Sequence, residues 1–222
     1  MKQKNGYDIM KRNYQKELEK ILEKENPGKC LLLHSCCAPC SSYVLIYLRQ
    51  FFRITVFYYN PNITFSDEYE KRVAEQKRLI TALNASPDGG FPIEILEGSY
   101  EPERFLEAAK GLEKCPEGGE RCHKCFELRL SESAKQAKLR DYDYFTTTLT
   151  ISPLKNAEKL NEIGEQMAQE YGVTFLPSDF KKKEGYKQSI ELSKKYDLYR
   201  QDYCGCAFSK AERDMRLKET NR

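Results

Sequence analysis

No apolar run in the chain approaches the roughly 20 residues that a membrane-spanning helix needs. The first residues, Met1-Lys-Gln-Lys-Asn-Gly6, also lack the apolar segment of a secretory signal. The expectation is therefore a cytoplasmic protein with no membrane partner. Internal repeats and low-complexity tracts are absent too, so 222 residues predict one sizeable core rather than an array. An excess of charge of one sign is nearly lacking, at +3, so any affinity for nucleic acid must come from a local patch and not from the global field. Glycine is missing from Ser35-Cys-Cys-Ala-Pro-Cys-Ser41, which follows a first apolar run and would otherwise be the place for a phosphate-cradling loop.

What is plentiful is cysteine. Nine of them, an odd number in a reducing compartment, argue against a disulfide framework and for metal-binding or catalytic thiols. They fall in groups: Cys30, Cys36, Cys37 and Cys40; Cys115, Cys122 and Cys125; Cys204 and Cys206.

Periodicity places these groups on a regular frame. Met10, Tyr14, Leu18, Ile21 and Leu22 have helical spacing and predict a surface helix over 8–25, within an N-terminal unit of residues 1–28. The remaining chain, 29–218, reads as one domain, followed by a tail of 219–222. Strands are predicted at 30–33, 54–59, 91–96, 144–149 and 174–176, from β-branched, aromatic and apolar content. Helices are predicted at 38–51, 66–83, 103–110, from about 122 through Ala137, from Asn156 to Tyr171, at 186–196 and from Ala207. Regular alternation implies a single α/β domain, a doubly wound parallel sheet of about five strands with helices on both faces. In such sheets ligands bind beyond the carboxyl ends of the strands. The Cys36–Cys40 stretch, the Asn60-Pro61-Asn62 turn and the Ser152–Asn156 turn all follow strands, so one edge should carry the metal centres.

Adjacent Cys36 and Cys37 can point to different sides, while Cys37 and Cys40 share a face of a first helical turn. Cys122 and Cys125 form a C-x-x-C where a helix begins, and a helix N-terminus lowers thiol pKa values. Gly205 between Cys204 and Cys206 lets the backbone fold tightly around a metal. Seven sulfurs exceed one tetrahedral site, so two centres, or a cluster and an extra iron, would use them. The alternatives are a structural zinc and, for Cys37-Ala-Pro-Cys40, a redox-active dithiol. Cys30 reads as a packed strand thiol and Cys115 as a loop residue outside the ligand set.

Several stretches together resemble the QueH family of epoxyqueuosine reductases. They are Leu32-Leu-His-Ser-Cys-Cys-Ala-Pro-Cys40, Tyr59-Asn-Pro-Asn-Ile63 with Glu68, Tyr69 and Arg72, and Gly119-Glu-Arg-Cys-His-Lys-Cys-Phe-Glu-Leu-Arg129. Phe145-Thr-Thr-Thr-Leu149, Ser152-Pro153, Lys155-Asn156, Asp179-Phe-Lys-Lys182, Gly185-Tyr186 and Leu198-Tyr-Arg-Gln-Asp-Tyr-Cys-Gly-Cys206 complete the match. The resemblance implies an adenine nucleotide alpha-hydrolase-like (HUP, Rossmann-like) fold, a [4Fe-4S] cluster beside a second mononuclear iron, or zinc as purified, and no cobalamin. By position it implies Cys36, Cys37, Cys122, Cys125, Cys204 and Cys206 as the metal set. Members vary at Cys40, some carrying Asp, and Cys40 is kept as a further candidate ligand.

The implied reaction converts epoxyqueuosine in a tRNA anticodon to queuosine, a two-electron deoxygenation that consumes two protons and needs an external electron donor but no nucleotide cofactor. Asp202, Tyr203 and His34 are the candidate proton donors by their closeness in sequence to the ligands, Asp202 first. Candidate substrate-binding residues are Asn60, Asn62, Arg72, Lys155, Lys181, Lys182, Tyr186 and Arg200. Lys181–Lys183 and Arg200, interleaved with Phe180, Tyr186, Tyr196 and Tyr199, suit a phosphate-tracking surface with stacking platforms. Two other readings are an ATP-dependent tRNA thiolase, which the glycine-free loop disfavours, and a zinc-stabilised RNA-binding module without catalysis.

Overall fold

The computed structural model describes residues 12–87 and 89–220. In chain order the elements are α1 (Tyr14–Lys24), β1 (Lys29–His34), α2 (Ala38–Leu48), β2 (Phe52–Tyr58), α3 (Ser66–Asn84), β3 (Ile93–Glu97) and α4 (Pro102–Ala108). They continue with α5 (Glu120–Leu139), β4 (Tyr144–Thr147), α6 (Ala157–Tyr171), β5 (Thr174–Phe175), α7 (Gly185–Lys195) and α8 (Ala207–Thr220).

The three consecutive leucines of β1 are all fully buried, and the alternation of a strand sends them to opposite faces. Leu31 and Leu33 join Ile54 and Val56 of β2 against α1, α2 and α3. Leu32 joins Phe145 of β4 and Phe175 of β5 against α5 and α6. A strand covered on both faces is what a parallel sheet requires. The sheet has the order β3-β2-β1-β4-β5 with every pair parallel, as the alternating pattern predicts. β1 leads to β2 on one side while β4 leads to β5 on the other, so the direction in which the chain winds across the sheet reverses between β1 and β4. That reversal opens a crevice at the carboxyl ends of these two strands.

Of the predicted boundaries that move, three do so for a clear local reason. The first helix does not extend back over residues 12 and 13, because the Asn13 side chain caps it by accepting from the Lys16 amide at 3.1 Å; Met10 lies outside the described residues. Helix α2 stops at Leu48 rather than near Phe51. Arg49 follows and ties the corner down by donating to the carbonyls of Leu83 at 2.8 Å and Phe91 at 3.1 Å. Strand β4 ends at Thr147 instead of Leu149, since the Thr147 hydroxyl accepts from the Leu149 amide at 3.1 Å and starts a 3-10 turn over Thr148–Ile151.

Helix α2 is apolar on nearly all sides because α7 packs on its outer face. Gly185 makes this approach possible: a Cβ there would stand 1.9 Å from the Phe180 carbonyl oxygen and 2.7 Å from the Tyr43 ring. Helix α8 is packed differently, with Ser209 its one buried residue. No helix among the described residues is long and apolar enough to cross a membrane.

Candidate metal centre and its cavity

The crevice at the ends of β1 and β4 opens into a cavity of about 410 Å³. Five cysteines from three distant segments line it: Cys36 and Cys40, Cys122 and Cys125, and Cys204. Cys37 and Cys206 lie directly behind the wall, buried and paired with lining sulfurs.

The first group is built by the β1–α2 junction. Cys37 is the N-cap of α2 in an extended conformation, and Pro39 opens the helix where a missing N–H costs nothing. The sulfurs of Cys36, Cys37 and Cys40 lie within 4.8 Å of one another. Cys36 faces the cavity, while Cys37 accepts from Gln201 Nε2 at 2.8 Å. The two adjacent sulfurs do not diverge as their place in sequence allowed: they stay 3.7 Å apart in one cluster.

The second group starts α5. Cys122 Sγ accepts the Gly118 amide at 3.2 Å. Cys125, one turn on, is buried. The third group is a turn held by three donors from elsewhere. Asn62 Nδ2 and Arg72 Nη1 donate to the Cys204 carbonyl at 3.4 Å and 3.2 Å, and the Thr64 amide donates to the Gly205 carbonyl at 3.2 Å. Gly205 has φ +114°, and a Cβ there would approach Ile63 Cγ1 to 2.8 Å. Only glycine fits that turn, which brings Cys204 Sγ and Cys206 Sγ to 3.4 Å.

Electrostatics divides the sulfurs. Hydrogen bonds from Cys37 and Cys40 hold the Cys36 thiol well below its ordinary pKa, while Cys36 in turn pushes Cys37 up to about 12 and Cys40 far above the normal range. Cys204 is likewise held low by Cys206, and Cys206 is raised in exchange. Burial pushes Cys125 up to about 11 and also raises Cys122. Sulfurs this close repel one another as thiolates, so a bound cation would displace protons from each close group. This all-sulfur donor set, with softness matched to iron or zinc and with buried carbonyl oxygens of Asn62 and Gln201 left unpartnered at its edge, fits a polymetallic site.

Two side chains that the sequence reading left without a role matter here. Arg129, on the buried face of α5, lines the cavity floor, and Gln201 contacts Cys37. Arg129 is four residues after Cys125, a spacing that puts both on one helical face. From α8, Arg213 and Arg216 also line the cavity.

The expected site residues divide by position. Asn62, Arg72, Lys155, Tyr186, Arg200, Asp202 and Tyr203 line the cavity with the cysteines. Lys155 comes from the turn after β4. Burial opposes its charge, but the sulfurs of Cys36, Cys40 and Cys204 outweigh that and raise its pKa. Asp202 is exposed and ion-paired with Arg213. The Tyr203 ring lies beneath the guanidinium groups of Arg72 at 5.4 Å and Arg213 at 5.1 Å, and burial raises its phenol to about 12. His34 and Asn60 stand outside the cavity wall, fully buried behind Arg129. Lys181 and Lys182 also lie off the wall, Lys181 paired with Asp179 at 2.9 Å. Cys30 is half-buried in β1, and Cys115 presents its carbonyl, not its sulfur, to Arg121.

Fold and site together define a parallel α/β protein with a group of cysteines able to hold a metal at its topological switch point. The family model described as epoxyqueuosine reductase QueH matches residues 31–212. The chain is 43% identical over 215 residues to the epoxyqueuosine reductase QueH of Staphylococcus epidermidis, covering 95% of this chain and 90% of that protein. It is 42% identical over 207 residues to the one of Streptococcus pyogenes, covering 93% and 79%. With the one of Thermotoga maritima it shares 34% over 195 residues, covering 86% and 96%. The chain belongs to the QueH family of epoxyqueuosine reductases, which are oxidoreductases.

Proposed function

We propose that this chain reduces epoxyqueuosine to queuosine in the tRNA anticodon, with the epoxide oxygen leaving as water after two electrons and two protons are delivered. The supporting observation is the convergence of cysteines from three distant segments on one cavity large enough for a nucleoside. Cys36, Cys37, Cys122, Cys125, Cys204 and Cys206, with Cys40 beside them, would hold a [4Fe-4S] cluster and a second iron. When bound, these centres supply single-electron transfer and a Lewis acid.

The chain's own residues do the rest. The Lys155 ammonium faces the sulfurs and presents a fixed positive charge to any oxygen bound between them. Asp202 and Tyr203 lie on the cavity wall within reach of solvent and are the proton donors in this reading. Tyr186 and Arg200, at the cavity rim, offer a stacking face and a phosphate partner for a single-stranded anticodon loop. Arg72 serves substrate binding indirectly, since its three nitrogens are spent on Glu68 and the carbonyls of Tyr203 and Cys204.

An anaerobic preparation tests this reading. It should be brown, contain several irons per chain and convert epoxyqueuosine tRNA when given an external low-potential reductant. A colourless, zinc-loaded protein that binds tRNA without turnover would instead identify an RNA-binding module.

A further inference from the structure

Arg129 is a cation buried in the protein with no carboxylate among its hydrogen-bond partners. It is 2% exposed, and its guanidinium is divided among three groups. Nη2 donates to Asn60 Oδ1 at 2.7 Å, Nη1 points to Cys125 Sγ at 3.8 Å, and Nε donates to His34 Nε2 at 3.3 Å. Arginine cannot shed its proton, so a buried guanidinium needs a negative charge nearby.

The surroundings leave the sulfurs as the source of that charge. Asn60 is neutral and is itself locked, its Nδ2 donating to the Ser35 carbonyl at 2.8 Å. His34 must also be neutral. A second cation 3.3 Å from the guanidinium in this buried place would be repelled by it; His34 Nε2 lies between Arg129 Nε and the Tyr59 carbonyl oxygen, 3.2 Å away, and Nδ1 is 2.8 Å from Thr147 Oγ1. Two neutral groups and one sulfur thus fix the charge in place, and the matching negative charge would come from a metal centre bound by the cysteine groups.

We infer that Arg129 is the fixed counter-charge of the metal centre, set against the cysteine groups by His34 and Asn60, and that its positive charge raises the reduction potential of the bound cluster. The inference rests on the metal reading above. Adding an electron to a thiolate-ligated cluster adds negative charge, so a nearby buried cation favours the reduced state. Arg129 is accordingly a positioning residue that acts through the cluster and does not touch the substrate.

The test compares native protein with Arg129→Met, Arg129→Lys and Asn60→Asp, each reconstituted anaerobically. Iron content, circular dichroism and the midpoint potential of the cluster are measured separately from turnover. Arg129→Met and Asn60→Asp remove or neutralise the charge. Both should lower the potential, by about tenfold in the equilibrium with a fixed reductant, which is about 59 mV for one electron. Arg129→Lys should stay within a small fraction of that shift. Loss of iron from Arg129→Met with retention in Arg129→Lys also supports the charge. Equal potentials in all four proteins overturn the inference, as does equal loss of iron from folded Arg129→Met and Arg129→Lys. If native protein assembles no cluster at all, the metal reading fails instead.

Discussion

Arg72 Nη1 donates to the carbonyl oxygen of Cys204 at 3.2 Å, joining helix α3 to a cysteine turn 132 residues further along the chain. The same guanidinium donates to the Tyr203 carbonyl and to Glu68, and its side chain is 1% exposed. Removing it leaves the Tyr203 carbonyl without this donor and Glu68 without its cation, while Asn62 still reaches the Cys204 carbonyl and Tyr199 still reaches Glu68, at a cost of about 1–3 kcal/mol. Arg72→Met should lower the urea midpoint and reduce iron per chain, with Cys204 and Cys206 becoming more open to alkylation in the metal-free protein. Mass-spectrometric mapping of alkylated cysteines checks this: equal labelling of Cys204 in variant and native protein would contradict the role.

Gly205 presents a second constraint on the same turn. Its φ of +114° is strained for any L residue, and the added methyl would press on Ile63. Gly205→Ala should therefore cost about 1–3 kcal/mol of stability. Because the strain falls between two ligands, iron retention should drop more than stability alone predicts. Gly172, also at positive φ but with open space around its Cβ, provides the control: Gly172→Ala should lose stability and keep its iron.

Much of this arrangement was legible in the residues themselves. Runs such as Leu31–Leu33 and Ile54–Tyr58 carry their strand character in composition, and alternation with helical segments implies the parallel sheet. Motif spacing also exposed Gly205, since a glycine between two cysteines has few other uses. Arg129 was not legible, although Cys125 marks its helical face. Its partners His34 and Asn60 lie 95 and 69 residues away, and only the folded sheet edge brings them together. Nor does a lysine run reveal its own pairing. Lys183 meets Glu19 of α1 at 2.5 Å, an ion pair between segments far apart in sequence.

That pairing bears on where tRNA binds. Lys181 and Lys183 already have carboxylate partners and lie off the cavity wall, whereas Arg200 and Tyr186 line it. Charge reversal at Arg200 should weaken tRNA binding more than reversal at Lys181. Each cation withdrawn from a phosphate should flatten the salt dependence by about 0.7 in log–log slope. Tyr186→Ala should weaken binding by roughly 1–3 kcal/mol if a base stacks on it, with little change of slope. Fluorescence anisotropy with an anticodon stem-loop, titrated at several salt concentrations, separates these effects. A larger slope change at Lys181 than at Arg200 would move the binding surface away from the cavity rim.

Asp202 can be tested as a proton donor only if its other bond is taken into account. Its carboxylate holds Arg213 of α8, and α8 supplies Arg213, Arg216 and Leu217 to the cavity wall. Asp202→Asn thus removes an acid and loosens a helix at once. Arg213→Gln breaks the same pair while leaving the carboxylate free. If Asp202 delivers a proton, Asp202→Asn should lose about 10²–10⁴ in single-turnover rate with iron content intact, and Arg213→Gln should lose much less. If the pair serves only to seat α8, the two variants should fall together and tRNA affinity should fall with them. Full turnover by Asp202→Asn with its cluster intact removes Asp202 from the chemistry and passes the role to Tyr203 or Lys155, which share the wall.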